Sequence, residues 1–333
     1  MARVPWIDRA AKCVAVVLIL LLAPGYVYEH RADNLAARQH PMRGVLIDLG
    51  GYRLHLYCLG SGRPTVVLDA GFVDSLEQWD LVQPEVAKST RVCSYDRAGS
   101  GWSDLGSKPR NASHEALELH TLLTRAGERS PFVVVGHSYS GLIALIFASS
   151  YRSETEGMVL VDSVAPDEMS QFPAKRFVIP SYQILLLRLA AVWGGPRLIG
   201  LCGATGAIPD CPRFIRAEMD NLKAYGESHR EAGEITGLDK ITLVVLAHDP
   251  RVGLAGPRDD AFESAWNRWQ HEMTRLSSNS SFVEVSGVGH EIQTDQPEVV
   301  TGAIVRVVEA IRSSDTQEAA GIRGTISPTP TRQ

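Results

Sequence analysis

The sequence predicts an α/β protein: a mostly parallel eight-stranded sheet with helices on both faces and a helical cap inserted after the sixth strand. Three observations carry this. From about residue 45, short apolar runs alternate with helix-length segments. Several runs, such as Phe132-Val133-Val134-Val135 and Leu243-Val244-Val245-Leu246, are apolar throughout, as strands covered on both sides must be. The alternation itself requires crossovers that bring each strand back parallel to its neighbour.

Taken in order, the chain opens with Arg3, Arg9 and Lys12 before an apolar run from Cys13 to Ala23. That run is shorter than the roughly 18–20 residues that cross a bilayer, and it has the form of a signal-peptide core. Pro24 spoils a small-x-small cleavage site. Residues 1–30 are therefore read as an uncleaved signal anchor, with the rest of the chain on the extracytoplasmic side by the positive-inside rule. A cleaved export signal, giving a secreted protein, is the next reading, and a buried helix of a cytosolic protein the third. The expected strands are Val45–Leu49, Tyr52–Leu59, Thr65–Asp69, Val92–Tyr95, Phe132–Gly136, Met158–Val161, Thr242–Ala247 and Phe282–Val285. Gly50-Gly51 marks a hairpin between the first two. Helices are expected around Gln78–Lys88, Ser113–Ala126, Tyr139–Tyr151, Asp259–Ser277 and Pro297–Ile311. The core is thus drawn from 40–162 and 237–312, and residues 163–236, which contain no strand pattern, form the cap. The apolar middle of the cap, Val178 to Trp193, reads first as a helix packed on the main domain and second as a lid or acyl-chain wall. Residues 313–333, rich in Thr, Pro, Gly and Gln, read as a disordered tail.

With 333 residues and 44% hydrophobic content the chain can bury a full core. Its net charge of -5, with no block of Lys and Arg, argues against nucleic acid as a partner. The five cysteines form no CxxC and no zinc-type cluster with histidine, so neither a metal nor any other cofactor is expected. Cys58 and Cys93 fall in strands and read as buried free thiols. Cys202 and Cys211 flank a Gly/Pro loop and would close a small disulfide in an exported domain. Asn111-Ala112-Ser113 and Asn279-Ser280-Ser281 match the glycosylation pattern.

The chemistry is signalled by Gly136-His137-Ser138-Tyr139-Ser140-Gly141, set directly between an apolar strand and a helix. A serine hydroxyl becomes a useful nucleophile only when exposed, oriented and served by a base. A sharp strand-to-helix turn supplies the exposure and crowds the backbone, and the small residues Gly136 and Ser140 relieve the crowding. Asp96 to Ser103 is glycine-rich but lacks the Lys-Ser/Thr of a phosphate loop, so nucleotide binding is not indicated. Trp266 and Trp269, at helical spacing, read as core.

From about Val45 to Ile311 the sequence resembles the α/β-hydrolase fold superfamily, in particular a serine esterase/lipase-like branch with a short N-terminal membrane segment. The carriers are the Ser138 turn, Val67-Leu68-Asp69-Ala70-Gly71-Phe72, Tyr95-Asp96-Arg97-Ala98-Gly99-Ser100-Gly101-Trp102-Ser103, and Gly287-Val288-Gly289-His290. The resemblance implies a Ser-His-Asp triad, with His290 as base on the loop after the last strand. His137 reads as structural, and His55, His114, His120, His229, His248 and His271 as surface or packing residues. Asp249, after Leu246-Ala247-His248, is the first choice for the third member, and Asp162, ending the preceding strand, is the second. The oxyanion hole is assigned to the backbone N–H groups of Phe72 and Tyr139. The expected activity is cleavage of a carboxylic ester, a small or medium ester, lactone or acylglycerol, through an acyl-enzyme. The same constellation would also serve an amidase, a perhydrolase or a C–C hydrolase. A ligand-binding receptor with little turnover is the alternative of another class. The expected partners are a small ester or lipid-like substrate and, through the N-terminal segment, a membrane.

Overall fold

Alternating side chains on a strand point to opposite faces, so an all-apolar strand needs cover on both. The computed structural model, which describes residues 5–168, 180–202, 208–253 and 260–325, provides that cover. The strands are β1 (Val45–Asp48), β2 (Arg53–Leu59), β3 (Thr65–Asp69), β4 (Val92–Tyr95), β5 (Phe132–His137), β6 (Thr155–Val161), β7 (Thr242–Ala247) and β8 (Ser280–Glu284). They form one sheet in the order β1-β2-β4-β3-β5-β6-β7-β8. β1, β2 and β4 pair antiparallel and every later pairing is parallel. The first hairpin turns where expected: Gly50 and Gly51 take φ of 97° and 120°, and both donate N–H to Asp48 Oδ1.

The longer helices are α1 (Pro5–Gln39), α2 (Ala112–Ala126), α3 (Ser140–Ser150), α4 (Ser181–Ala191), α5 (Cys211–Gly233), α6 (Asp260–Met273) and α7 (Pro297–Thr325). Phe132 and Val134 of β5 pack with Leu119, Leu142, Ile143 and Trp269 on one face of the sheet. Val133 and Val135 pack with Val300, Ile304 and Val307 of α7 on the other. The period-two alternation of an apolar strand thus builds two cores. α3, the helix behind the serine turn, is buried from Ser140 through Ala148.

Three expectations need correction. Cys58 and Cys93 are not free thiols: they face each other in the antiparallel β2–β4 register, with Cα atoms 4.0 Å apart, and are joined as a disulfide. Cys202 and Cys211 are also bonded, leaving Cys13 as the free cysteine. The stretch expected to be a disordered tail from residue 313 continues α7 to Thr325, because its Glu, Ala and Gln residues favour helix; residues 326–333 lie outside the described residues. Finally, among the described residues the apolar middle of the cap packs within the cap and not on the main domain. α4 buries Ile184 and Ala191 against Cys202, Cys211, Phe214 and Ile215, a cluster of the cap's own. Its Tyr182, Leu185, Leu186 and Leu189 are exposed. α5 links cap and core, since its Tyr225 and Ala232 belong to the main cluster.

The apolar run from Cys13 to Ala23 lies inside the 35-residue α1, and no helix of the described residues is long and apolar enough to cross a membrane. The far end of α1 is held to the cap: Arg197 donates to Glu29 at 3.0 Å and to Asp33 at 2.5 Å. Asn111 does not stand out as a glycosylation acceptor. It is buried, caps α2 by accepting from His114 N, and donates Nδ2 to Glu231.

The closeness of α7 to the sheet yields a test. A Cβ on Gly157 of β6 would meet Val307 Cγ1 at 2.4 Å and Ile311 Cδ1 at 3.1 Å. Gly157→Val should therefore destabilise the chain by about 1–3 kcal/mol through overpacking. A thermal unfolding midpoint equal to wild type would contradict this packing.

Candidate active site

A residue perched on a tight turn must accept a backbone conformation that side chains rarely adopt. Ser138 has φ of 53°, in the left-handed region. The turn is held open by its neighbours: Ser138 N donates to Val161 O at 3.2 Å, and Ser138 O accepts from Gly141 N and Val164 N at 3.0 and 2.9 Å. A Cβ on Gly136 would lie 2.6 Å from Ser140 O, and one on Gly141 2.4 Å from Ser163 Cβ. Both glycines are needed because α3 and β6 press against the turn. Ser140, read from sequence as a small stand-in for glycine, also makes specific bonds. Its hydroxyl donates to Ala70 O and accepts from Arg97 Nη1.

Arg97 organises the loop that faces the serine. Its guanidinium pairs with Asp69 at 2.8 Å and donates to the carbonyls of Ala70 and Gly71. With both carbonyls turned inward to the buried cation, the chain next presents Phe72. Phe72 N and Tyr139 N make no hydrogen bond within the chain among the described residues. The two rings meet edge-to-face at 5.8 Å, so the two candidate oxyanion residues are neighbours. Val73, β-branched and at φ of 63°, follows directly, which marks the loop as strained.

The candidate acid and base, Asp162 and His290, follow β6 and β8, strands separated in the sheet by β7. Asp162, at the end of β6, also has positive φ (42°) and donates its N–H to Leu246 O. His290, on the loop after β8, places Nδ1 2.6 Å from Asp162 Oδ2. Burial opposes charge on Asp162, but hydrogen bonds from His248 and His290 outweigh it and hold the carboxyl well below its ordinary range. Burial likewise opposes charge on His290, yet the Asp162 bond leaves its pKa raised. Among the described residues no hydrogen bond engages His290 Nε2. His137 bridges the two parts. Its ring centroid is 4.6 Å from that of His290, and its Nε2 donates to the His290 carbonyl at 3.1 Å. Burial and the neighbouring His290 push its pKa down to about 3, so it is neutral. Its bond to backbone makes it a support, in line with the structural reading from sequence.

The first choice for the acid, Asp249, is corrected by these contacts. Its oxygens accept from Arg251 N, Nε and Nη2 at 2.7–2.9 Å and from Gly287 N at 2.9 Å, and its N–H donates to Val288 O. Arg251 and these backbone donors hold its carboxyl well below the ordinary range. Asp249 therefore fastens the loop leading to His290, and the second choice, Asp162, carries the imidazole. Sequence reasoning also missed His248 and Glu263. His248 Nδ1 lies 2.9 Å from Asp162 and its Nε2 2.9 Å from Glu263. Trp266, read as core, is core and also donates Nε1 to Asp162 Oδ1. The available signal was weak: His248 immediately precedes the expected acid, and Glu263 and Trp266 sit three apart on one helix.

As for metals, the ligand atoms of His137, His290 and Glu291 lie within 4.8 Å of one another. One nitrogen of His290 is engaged by Asp162 and one of His137 by a carbonyl, so we assign no ion to this group.

The strained strand–helix turn of Ser138 and the Asp162–His290 pair lie at the same end of an eight-stranded, mostly parallel sheet, the architecture of an α/β hydrolase. The chain belongs to the alpha/beta hydrolase family, whose sequence profile matches residues 66–303. An uncharacterized protein of Bacillus subtilis, YqjL, is 26% identical over 251 residues, covering 74% of this chain and 85% of its own. A thermophilic esterase from Thermogutta terrifontis is similar in structure, with a TM-score of 0.56 at 23% identity over 81% of this chain and 98% of its own. The epoxide hydrolase CorEH gives 0.60 at 18% identity over 80% and 98%. At these identities the two structures speak for the fold alone.

The Arg97–Asp69 pair is buried on both sides. Arg97→Met would leave Asp69 without its cation and free the Ala70–Gly71 carbonyls, at a cost of about 3–5 kcal/mol. Urea denaturation should show this loss, with partial recovery in Arg97→Met/Asp69→Asn; a midpoint unchanged by Arg97→Met would refute the account of the loop.

Proposed function

We propose that the chain is a serine hydrolase that cleaves a carboxylic ester through an acyl-enzyme. The observation that carries this is the 2.6 Å bond from His290 to Asp162 at the strand end beside the strained Ser138. In this reading Asp162 fixes the tautomer with the proton on Nδ1 and leaves Nε2 as the basic atom. Nε2 takes the hydroxyl proton as Ser138 Oγ bonds to the ester carbonyl carbon. The carbonyl oxygen becomes an oxyanion held by the N–H groups of Phe72 and Tyr139, each worth about 2.7–4 kcal/mol in such a hole. Collapse expels the alcohol, which receives the proton from His290. Water, deprotonated by the same nitrogen, then releases the acid and restores the serine.

The identity of the nucleophile favours acyl transfer over the chemistry named for the epoxide hydrolase neighbour. A serine that opened an epoxide would be left as an ether, which has no carbonyl for water to attack. A serine acylated by an ester is readily hydrolysed. The exposed leucines of α4 and its separate apolar cluster support an apolar acyl group as the substrate's larger part. Two disulfides, together with the basic-then-apolar N-terminus, support an extracytoplasmic location, anchored at a membrane or secreted. Alkylation of the unfolded, unreduced full-length chain should then label Cys13 alone.

The catalytic test compares three folded variants on a chromogenic ester. Ser138→Ala should lose several orders of magnitude in kcat and its labelling by a fluorophosphonate. Asp162→Asn should lose roughly 10⁴-fold, the scale for an orienting acid. Asp249→Asn should lose stability before turnover. Full turnover by Ser138→Ala would remove the proposal, and a larger kcat loss for Asp249→Asn than for Asp162→Asn would reverse the assignment of the acid.

A further inference from the structure

Asp162 carries two imidazoles. One is His290. The other is His248, at the end of β7, where the sequence had placed the acid itself. His248 Nδ1 is 2.9 Å from both oxygens of Asp162, its backbone N–H is 3.2 Å from Oδ1, and its Nε2 is 2.9 Å from Glu263 Oε2 on α6. The ring is 2% exposed, and Asp162 is fully buried.

The two contacts constrain the ring. Ionised carboxylates only accept hydrogen bonds, and a neutral imidazole has one N–H to give. A neutral His248 would set a lone pair against either Asp162 or Glu263 in a buried site, where such a mismatch is costly. Two donating nitrogens are an imidazolium. The groups facing it are Asp162 from β6, Glu263 and Trp266 from α6, and His290 from the last loop. Asp249, next in the chain, is turned onto Arg251. Burial opposes charge on His248, but Asp162 and then Glu263 outweigh it and push its pKa up to about 9.

We propose that His248 is a positioning residue that, through Asp162, holds the base His290 in place and sets the pH at which that base works. This rests on the triad reading above. A cation on the far side of Asp162 competes with His290 for the same negative charge, so His290 is less basic than a lone Asp–His pair would make it. The Nδ1 bond, with Trp266 Nε1 and the His248 N–H, leaves the carboxylate one direction in which to accept the His290 proton.

The test is His248→Asn, whose amide can keep the bond to Asp162 but not the charge. With the cation gone, His290 should become more basic. The acid limb of kcat/KM, which reports the free enzyme's base, should then move to higher pH by about one unit. Titration of the His290 ring by NMR should show the same shift. In wild type, ¹⁵N shifts of His248 should be those of an imidazolium at pH 7. A merely structural role would lower stability or kcat and leave both titrations where they were. Coincident His290 titrations in wild type and folded His248→Asn, or a neutral His248 ring at pH 7, would overturn the proposal. The NMR arms need no turnover, so they decide it even if ester cleavage by Ser138 fails its own test.

Discussion

A carboxylate taken fully out of water must find donors on every side, and Asp162 is where this requirement is met. Its oxygens accept from the His248 N–H and ring, from Trp266 Nε1 and from His290 Nδ1. Those donors arrive from the end of β7, from α6 and from the loop after β8. Three separate stretches of chain are therefore brought to one strand end by a single charge. The same strand end accepts the Ser138 N–H through Val161 O, so the Ser138 turn and the support of His290 share one foundation.

A second buried charge plays the corresponding part across the site. Arg97 gathers Asp69, Ser140 and the carbonyls of Ala70 and Gly71, which sets how the loop before Phe72 is oriented. Both centres are buried, and their hydrogen bonds tie the loops on either side of Ser138 to the strand ends. Gln78 connects the halves: its side chain accepts from Gly71 N and donates to Asp74 and Glu291, the residue after the base.

Legibility in the sequence followed the range of the interactions. Strand β3, β4 and β7 bounds follow from short, local apolar runs, and they coincide with the expected ones. The Ser138 turn is a contiguous motif, and its positive φ agrees with the crowding that Gly136 and Ser140 implied. The acid was not legible in this way. Asp162 and Asp249 both end apolar strands, and what separates them is Arg251, two residues on, which occupies the Asp249 carboxylate. The Cys58–Cys93 bond was hidden for a similar reason. It depends on β2 lying antiparallel beside β4, a non-sequential pairing that spacing along the chain does not reveal. α4 failed differently: its apolar residues are on the chain, but which of them face the cap cluster and which face solvent is set by α5.

The fastening of the last loop has a wider meaning. Asp249 grips Gly287 and Val288, and His137 grips the His290 carbonyl, so the base is held by its backbone independently of the carboxylate that holds its ring. Holding the loop and holding the ring are divided between two acids at neighbouring strand tips. Damage to one leaves the other's task intact, and the loop would keep its path even with the carboxylate that orients the ring removed.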